Sequence, residues 1–492
     1  MVYILRKGEI KMLILRRFSM IGLALSLILT ACSPAAPATL PTTLSPTTSL
    51  PSTLPAATFT HTPEPAGTGV PAIRYLTDKS ELVVISPVTG EEIDSFAPLS
   101  FRDIYNYAFA PDGRTLALTA NAGLYFLDLP SWKTRQYDLG LHGWMRSVIF
   151  SKDGSLLAIA SGDPESHIWI VDTENGKITA EQKANFSIRK IQFTDDGKAL
   201  MAYGPHIASE GEAANAGVSV GSPKAALYSV SDLKLLWSAE LDGIRDGTFP
   251  KKADAPITNN IYLPGAAWHY EPGIVFSPNS DVLYVVHGDE DKLTTVDFIN
   301  QKVHTVDVDV KISWLDRLVS LTAGVAHAKG MDGTVKQAFI SPEGNFLFVG
   351  GNTEAVTQQA DGSDMEITDT PLGLQVITAE DGTLVTDLDI EATPTGLSSD
   401  GRYIFLTGWK NNDRGGMATT DVYNTASMSL IKHIDHVQLM PTRRIDGKPI
   451  LVSSEYIGMN GDDVCFLAAV DSDTWTITNS WNGSCVGWLI TP

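Results

Sequence analysis

The segment "VIFSKDGSLLAIASG" (residues 148–162) recurs along the chain in closely similar form. "YAFAPDGRTLALTAN" begins at Tyr107, "IQFTDDGKALMAYG" at Ile191 and "TGLSSDGRYIFLTGW" at Thr395. Each copy contains an alternating apolar run, a short turn and a second apolar run, which is the pattern of a β-hairpin. Self-similarity of this kind predicts a repeat architecture, in which each unit buries its faces against its neighbours.

A tight turn lies in the middle of each copy. Its acidic residue or Asn is usually followed by Gly, which adopts positive φ without strain and therefore favours a hairpin. The predicted turns are Asp112-Gly113, Asp153-Gly154, Asp196-Gly197, Asn279-Ser280, Glu343-Gly344, Asp400-Gly401 and Asp446-Gly447.

Two further strands follow each hairpin, as in "HIWIVDT" and then "KITAEQ". Units of four antiparallel strands predict an all-β fold, a β-propeller. The seven turns indicate seven innermost strands, whereas the first unit supplies only three strands. The C-terminal "SCVGWLITP" can complete the first unit and thereby close the ring. We therefore expect eight four-stranded blades, or seven if one weak unit is an insertion.

The units resemble those of WD-repeat-like and YVTN-type bacterial β-propellers across residues 72–492. The shared sequence motifs are "FAPDG", "FSKDG" and "ISPEG", followed by strands such as "LYFLDL". This resemblance implies the propeller fold and no single function, because the superfamily includes scaffolds, lactonases and dehydrogenase subunits. One unit, "ALYSVSDLKLLWSAEL", also resembles the repeats of quinone-cofactor propellers and of an outer-membrane assembly lipoprotein. Its Trp237 has no clear counterpart in the other units, so we expect no cofactor.

The N-terminal segment is typical of an exported protein. Arg16 and Arg17 precede a short apolar run that ends in "LTAC", which resembles a bacterial lipobox and implies that Cys32 carries a lipid. An ordinary secretory signal is the alternative. The predicted organisation is a lipoprotein signal peptide at 1–31, a Pro/Thr-rich disordered linker at 32–71 and the propeller at 72–492. We expect a lipid-anchored, extracytoplasmic protein at the cell surface or in the periplasm.

Charge and cysteine content narrow the possible partners. The formal net charge of −21 argues against nucleic acid, whose phosphates the protein would repel. Cys465 and Cys485 remain in the body of the chain, and two cysteines in an exported protein most often form a disulfide. We expect a monomer.

Insertions in the repeat point to one working face. They lie at 205–223, 352–371, 409–418 and 455–463 between second and third strands, and at 241–272 and 309–336 between blades. Both kinds of connection open on the same face of a propeller, so this loop-rich face is our candidate for binding, or else its loops cap the channel. The candidate residues are Tyr105, His142, Trp144, Arg146, Arg189, Trp268, His269, Tyr270, Trp314, Arg317, Lys336 and Trp409.

Three of these candidates, Arg146, Arg189 and Lys336, occupy the same repeat position, seven residues before the turn. A cationic ring at the channel mouth would favour an anionic ligand or an acidic partner segment. The alternative is that these side chains pair with neighbours such as Asp103, Glu271 or Asp316.

Motifs for catalysis are missing from the sequence. It has no His-Glu-x-x-His, no Cys-x-x-Cys and no nucleophile elbow. The acidic loops "HGDEDK" (287–292) and "QADGSDMEITD" (359–369) could hold Ca²⁺, although neither has EF-hand spacing. The sequence therefore favours a propeller that binds a protein or an extracellular polymer. The alternative is a metal-dependent hydrolase or lactonase with its site at the channel mouth.

Overall fold

A computed structural model describes most of the chain beyond residue 72. The described ranges are 73–77, 82–86, 91–96, 104–120, 123–129, 133–141, 144–162, 166–208, 218–250, 267–308, 332–358, 365–398, 400–412, 415–435, 438–439, 451–456, 464–471, 473–484 and 486–489. Every described strand lies within Thr68–Pro492. The predicted signal peptide and linker, with Cys32, lie outside the described residues.

The described secondary structure consists of β-strands. In chain order they are β1 (Ile73–Thr77), β2 (Leu82–Ile85), β3 (Glu92–Phe96), β4 (Ile104–Phe109), β5 (Thr115–Ala120), β6 (Gly123–Asp128), β7 (Thr134–Asp138), β8 (Trp144–Phe150), β9 (Leu156–Gly162), β10 (His167–Asp172), β11 (Ile178–Lys183), β12 (Lys190–Phe193), β13 (Ala199–Gly204), β14 (Lys224–Ser229), β15 (Leu235–Glu240), β16 (Gly247–Pro250), β17 (Ala267–Glu271), β18 (Gly273–Phe276), β19 (Val282–Val286), β20 (Lys292–Asp297), β21 (Lys302–Asp307), β22 (Asp332–Ile340), β23 (Phe346–Gln358), β24 (Met365–Thr378), β25 (Leu384–Leu388), β26 (Thr393–Leu397), β27 (Tyr403–Asn412), β28 (Gly415–Asn424), β29 (Leu430–Asp435), β30 (Leu451–Tyr456), β31 (Val464–Asp471), β32 (Thr476–Ser484) and β33 (Val486–Leu489).

Most of these strands form four-stranded antiparallel sheets in sequence order. Such sheets are β4–β7, β8–β11, β12–β15, β18–β21 and β26–β29, and β22–β25 form the same meander within a larger sheet. Each of the five separate sheets has its first and last strands at its two edges, whereas β22 of the larger sheet also pairs with β17. This all-β arrangement is that of propeller blades and confirms the predicted fold class at that level.

The apolar core lies between successive sheets. One cluster joins Ile168 and Ile170 of β10 to Ile191 of β12 and Leu200 of β13. Every residue of β13 is buried, whereas β15 at the far edge of the same sheet alternates between exposed and half-buried residues. A middle strand needs apolar residues on both faces because its sheet is covered on both sides, and the runs "LLAIAS" and "ALMAYG" satisfy this requirement.

Hydrogen bonds also link the first strands of successive sheets. The side-chain amide of Asn106 on β4 donates to the carbonyl oxygen of Arg146 on β8 at 2.7 Å. Lys190 Nζ on β12 donates to the carbonyl oxygen of Ile274 on β18 at 3.0 Å. These contacts place the first strands side by side, so residues at equivalent repeat positions lie at the same end of the structure.

The predicted turns have the backbone conformation that their sequences favour. Gly113, Gly154, Gly197, Gly344 and Gly401 all have φ between 66° and 78°. Ser280, which stands where the other turns have Gly, adopts φ of 53°. These described turns confirm the hairpin prediction, whereas Asp446-Gly447 lies outside the described residues.

The C-terminal strand joins the first sheet. Its strand order is β3-β2-β1-β33, with Leu76 opposite Trp488. The predicted pairing of the last strand with the first unit is therefore present. The preceding sheet contains β30, β31 and β32 among the described residues, and the segment in which its innermost strand was expected lies outside them.

Cys465 lies on β31, as predicted, whereas Cys485 is outside the described residues. Val464 and Ser484, the residues that precede the two cysteines, are opposite each other in the β31–β32 ladder. The disulfide stays a prediction, and this register brings the neighbouring backbone of both cysteines together.

The insertions differ from the predicted loops. Residues 352–371 and 409–418 continue the strands of two long hairpins, β23–β24 and β27–β28. A hairpin can extend beyond its sheet in this way because its two strands satisfy each other's backbone hydrogen bonds. The insertion 241–272 contains β16 and β17, which pair with each other and add to β22 as a further edge. This part of the loop-rich face is therefore built from strands.

Candidate functional site

Strand β17 is the centre of the candidate site. It is antiparallel to β16 and parallel to β22, with His269 opposite Gly333. A Cβ atom at Gly333 would lie 2.2 Å from the carbonyl oxygen of His269, so glycine permits this close pairing. Because side chains alternate along a strand, His269 and Glu271 lie on one face, and Trp268 and Tyr270 lie on the other.

The first face carries a cluster of charges around Arg189, which directly precedes β12. Arg189 Nη2 is 2.8 Å from Asp246 Oδ1, and Nη1 is 3.4 Å from Glu271 Oε2. Asp246 is the residue before β16 and Glu271 is the last residue of β17. One guanidinium therefore links the start of β16 to the end of β17 at the open end of this hairpin. We call Arg189, Asp246 and Glu271 the ion-pair cluster.

Further polar groups surround the ion-pair cluster. His269 lies between Thr248 and Glu271, with Nδ1 3.1 Å from Thr248 Oγ1 and Nε2 3.3 Å from Glu271 Oε1. The hydroxyl of Ser219 donates to the carbonyl oxygen of Asp246 at 2.6 Å. These contacts fix the hairpin from both sides and leave the Asp246 side chain with no exposed surface.

Burial and pairing have opposite effects on the two carboxyl groups. Burial raises the pKa of Asp246 to about 6, although the charge of Arg189 lowers it. The hydrogen bond with His269 and the charge of Arg189 together lower the pKa of Glu271 to about 2, although burial opposes this shift. Burial and the charge of Asp246 raise the pKa of the neighbouring Tyr203 hydroxyl. Near neutral pH the cluster therefore depends on the cation of Arg189 to hold Asp246 ionised.

The opposite face carries aromatic side chains. Trp268 and Tyr270 are stacked, with ring centroids 6.3 Å apart and an interplanar angle of 20°. Phe249 of β16 lies 6.4 Å from Tyr270, centroid to centroid. The guanidinium of Arg245 lies 5.7 Å from the Tyr270 centroid, within cation–π range. We call Phe249, Trp268 and Tyr270 the aromatic face.

Lys336 belongs to this second side of the sheet. Tyr270 pairs with Thr334 in parallel register, so Lys336, two residues further along β22, points to the same side. The loop that begins at His287 lies near this side of the sheet, since a Cβ atom at Gly288 would lie 3.4 Å from Tyr270 Cβ. Burial lowers the pKa of Lys336, and the charges of Asp291 and Asp289 oppose that shift.

The three predicted cations have different surroundings. Arg146 lies close enough to the ion-pair cluster for its charge to lower the pKa of Glu271. Arg189 is paired with Glu271, which is one of the partners proposed from the sequence. It is also paired with Asp246, which the sequence analysis did not propose. Lys336 lies on the other side of the β16–β17–β22 sheet from Arg189. Arg189 is therefore paired, as the alternative from the sequence anticipated, and the cationic ring stays a prediction.

Trp144 is the most exposed of the predicted aromatic residues whose side chains the structure describes. It begins β8 and 67% of its surface is accessible. Trp268 and Tyr270 are half-buried on β17. The backbones of Tyr105 and Trp409 lie on β4 and β27, but the structure does not describe their side chains. His142, Trp314 and Arg317 lie outside the described residues. The aromatic residues that can be placed therefore lie on strands, where irregular loops were expected.

Sequence analysis did not identify the groups that complete the site. Asp246 and Arg245 lie in an insertion without repeat pattern, so no alignment with other units singled them out. Asp289 belongs to the acidic loop that was considered for Ca²⁺. Within the described ranges, no group of three or more His, Cys, Asp or Glu residues is placed to hold a metal ion. The same ranges contain no helix that is long and apolar enough to cross a membrane.

No family model and no curated protein matches this chain. Among solved structures, the β-propeller domain of Cps50 (Swd1) from Myceliophteria thermophila has 15% identity and a TM-score of 0.37, over 77% of this chain and 97% of that chain. A eukaryotic initiation factor has 13% identity and a TM-score of 0.44, over 85% and 98%. Hydrazine synthase from Kuenenia stuttgartiensis has 11% identity and a TM-score of 0.40, over 78% and 96%. These likenesses assign no function to the chain.

Proposed function

We propose that this chain is an eight-bladed β-propeller that binds a protein or an extracellular polymer through the end of the molecule formed by Trp144, Arg146 and the β16–β17 hairpin. A lipid on Cys32 and the linker at 32–71 hold it on the extracytoplasmic side of a membrane. The eight blades are the four-stranded units of the repeat, with the last strand completing the first unit.

The exposure of Trp144 is the observation that carries this proposal. A tryptophan at the start of an innermost strand has 67% of its surface in solvent, although burying it would release structured water. Arg146 is exposed two residues further along the same strand. Tryptophan and arginine are the residues most enriched among those that dominate binding energy at interfaces. The ion pairs of Arg189 connect β12 to the β16–β17 hairpin, and such fixed contacts lower the entropic cost of binding.

Substitution of Trp144 tests the proposed binding end. We expect Trp144→Ala to weaken binding to the partner recovered from cell-envelope extract by tenfold or more, because truncating an interface anchor costs about 2 kcal/mol or more. Ile299→Ala is the matched control, since Ile299 is 71% exposed in the turn after β20. Affinity is measured by surface plasmon resonance on the immobilised protein. Equal affinities for wild type and Trp144→Ala would refute this binding end.

The proposed anchor has a separate test. Cys32→Ala is expected to move the protein from the membrane fraction to the aqueous fraction, because the lipid would have no attachment point. Fractionation followed by immunoblotting measures this, and mass spectrometry of the mature N-terminus identifies the modified residue. An unmodified N-terminus at another residue would contradict the proposed lipid anchor. It would not affect the proposal about the binding end.

A further inference from the structure

The six-stranded sheet that contains the candidate site has one covered edge and one uncovered edge. At the β16 edge, Ser219 N donates to the carbonyl oxygen of Thr248 at 2.9 Å, and Val218 forms a parallel bridge with Thr248. At the opposite edge, β25 pairs with β24 only over residues 374–377. Among the described residues, no strand therefore lies on the outer side of residues 365–370 of β24. We call residues 365–370 the free edge.

The free edge is long enough to accept another strand. It belongs to the part of the β23–β24 hairpin in which residues 352–358 pair with 365–371. Pro371, which has no N–H, marks its base, and its six residues span about 20 Å. In an edge strand, every second residue directs its N–H and C=O groups away from the sheet. A second extended backbone matches this row of donors and acceptors, so the free edge suits strand addition.

A row of paired residues crosses the sheet at the height of the free edge. It consists of His269, Gly333, Glu354 and Asp369, on β17, β22, β23 and β24. Directly paired residues point to the same face, so the carboxylates of Glu354 and Asp369 lie side by side. Burial raises the pKa of Glu354, and the charge of Asp369 raises it further, which agrees with this placement.

The two carboxylates lack a cation. Neither Glu354 nor Asp369 makes a hydrogen bond or an ion pair with any residue that the structure describes. Gly333, which separates Glu354 from His269 in the row, has no side chain to contribute. Like charges that lie directly opposite each other destabilise a sheet. A cation brought from outside would therefore find an unpaired acidic pair beside the free edge.

A strand added to the free edge would continue this row, and its residue opposite Asp369 would lie on the same face as both carboxylates. A second copy of this chain does not suit the position, because its own free edge carries Asp369 and its net charge is −21. We propose that the free edge binds an extended segment of a partner protein by strand addition, with a Lys or Arg of that segment opposite Asp369. This inference rests on the proposed function, because it names the kind of partner for the sheet that contains the β16–β17 hairpin.

Strand addition is tested through the backbone of the bound segment. A phage-displayed library of random nonapeptides, selected on the purified full chain, supplies the probes. The best peptide is then synthesised with each backbone nitrogen methylated in turn, and calorimetry measures each affinity. We expect methylation at every second central residue to weaken binding by tenfold or more, because those N–H groups donate to the free edge, and methylation between them to have little effect. Binding without this alternation would overturn the inference.

A charge exchange tests the register. Asp369→Lys should weaken the basic peptide by tenfold or more, and it should bind the same peptide with Glu in place of the basic residue more tightly than the wild type does. Asp307→Lys is the matched control, since Asp307 is an exposed carboxylate at the end of an outer strand, β21. It should bind the basic peptide as wild type. Selected peptides that bind Asp369→Lys with wild-type affinity would overturn the proposed pairing.

Thermal stability separates this binding role from a structural one. Asp369→Lys should melt at the wild-type temperature or above, because it replaces a like-charge pair with an opposite-charge pair. A lower melting temperature with unchanged peptide affinity would assign Asp369 to the internal structure and overturn the inference. A wild-type dimer that Asp369→Lys dissociates in sedimentation would assign the free edge to a second copy and also overturn it. If no peptide binds the free edge but Trp144→Ala still loses the partner, the inference fails and the proposed function stands.

Discussion

Replacing Arg189 with methionine is expected to lower the free energy of unfolding by about 3–5 kcal/mol at pH 8. The Asp246 carboxylate has no exposed surface, and Arg189 is the cation 2.8 Å away. Removing the guanidinium leaves a buried charge unpaired and releases Glu271 on the neighbouring strand β17. Chemical denaturation of wild type and variant, followed by tryptophan fluorescence, measures the loss.

The loss of stability in Arg189→Met should become smaller as the pH falls. Asp246 has a folded pKa of about 6, above its ordinary value, and Arg189 lowers it, so the variant raises it further. A carboxyl group with a raised folded pKa binds its proton more tightly in the folded state, so stability increases as the pH falls through that pKa. The variant should therefore recover much of its lost stability between pH 8 and pH 5, because protonation removes the unpaired charge.

Two controls complete this experiment. Lys198→Met removes a cation 3.2 Å from Asp196, but these side chains are 83% and 56% exposed, so stability should barely change. Arg189→Met combined with Asp246→Asn should be more stable than Arg189→Met alone at pH 8, since the buried carboxylate is gone. Wild-type stability of Arg189→Met at pH 8 would show that the ion-pair cluster does not hold the hairpin.

Replacing Gly401 with alanine is expected to cost about 2–4 kcal/mol, the sum of backbone strain and overpacking. Gly401 has φ of 68°, which L side chains rarely adopt, and a Cβ there would lie 2.4 Å from the Pro342 ring of the preceding hairpin turn. The turns of successive sheets interlock at this point. The substitution should therefore loosen the contact between two sheets as well as strain one turn.

Gly197 provides the matched control for this clash. Its φ is 67°, but no described atom lies within 4 Å of its Cβ position. Gly197→Ala should cost only the backbone term, about 1–2 kcal/mol. Urea denaturation midpoints measure both variants. Equal losses for the two variants would contradict the interlocking of Gly401 with Pro342.

Local sequence patterns suffice to predict the repeating strands and turns. Asp153-Gly154 and its counterparts specify a backbone conformation over four residues, and alternating or continuous apolar runs specify extended strands with covered faces. These are local requirements, so neighbouring residues suffice to predict them. The pairing of "VGWL" with the first unit was also accessible, because an incomplete unit at one end of the chain matched a spare strand at the other.

The assembly of the site depends on contacts between segments that are distant in the sequence. Strand β17 pairs in parallel with β22, more than sixty residues later in the chain, and no local signal in either segment specifies that partner. Arg189 and Asp246 meet because the hairpin folds back over the start of β12. Such contacts depend on the summed packing of distant segments and on the burial of specific charges. A sequence pattern predicts the conformation of each strand. Which residues pack against that strand is decided only when all the sheets are packed together.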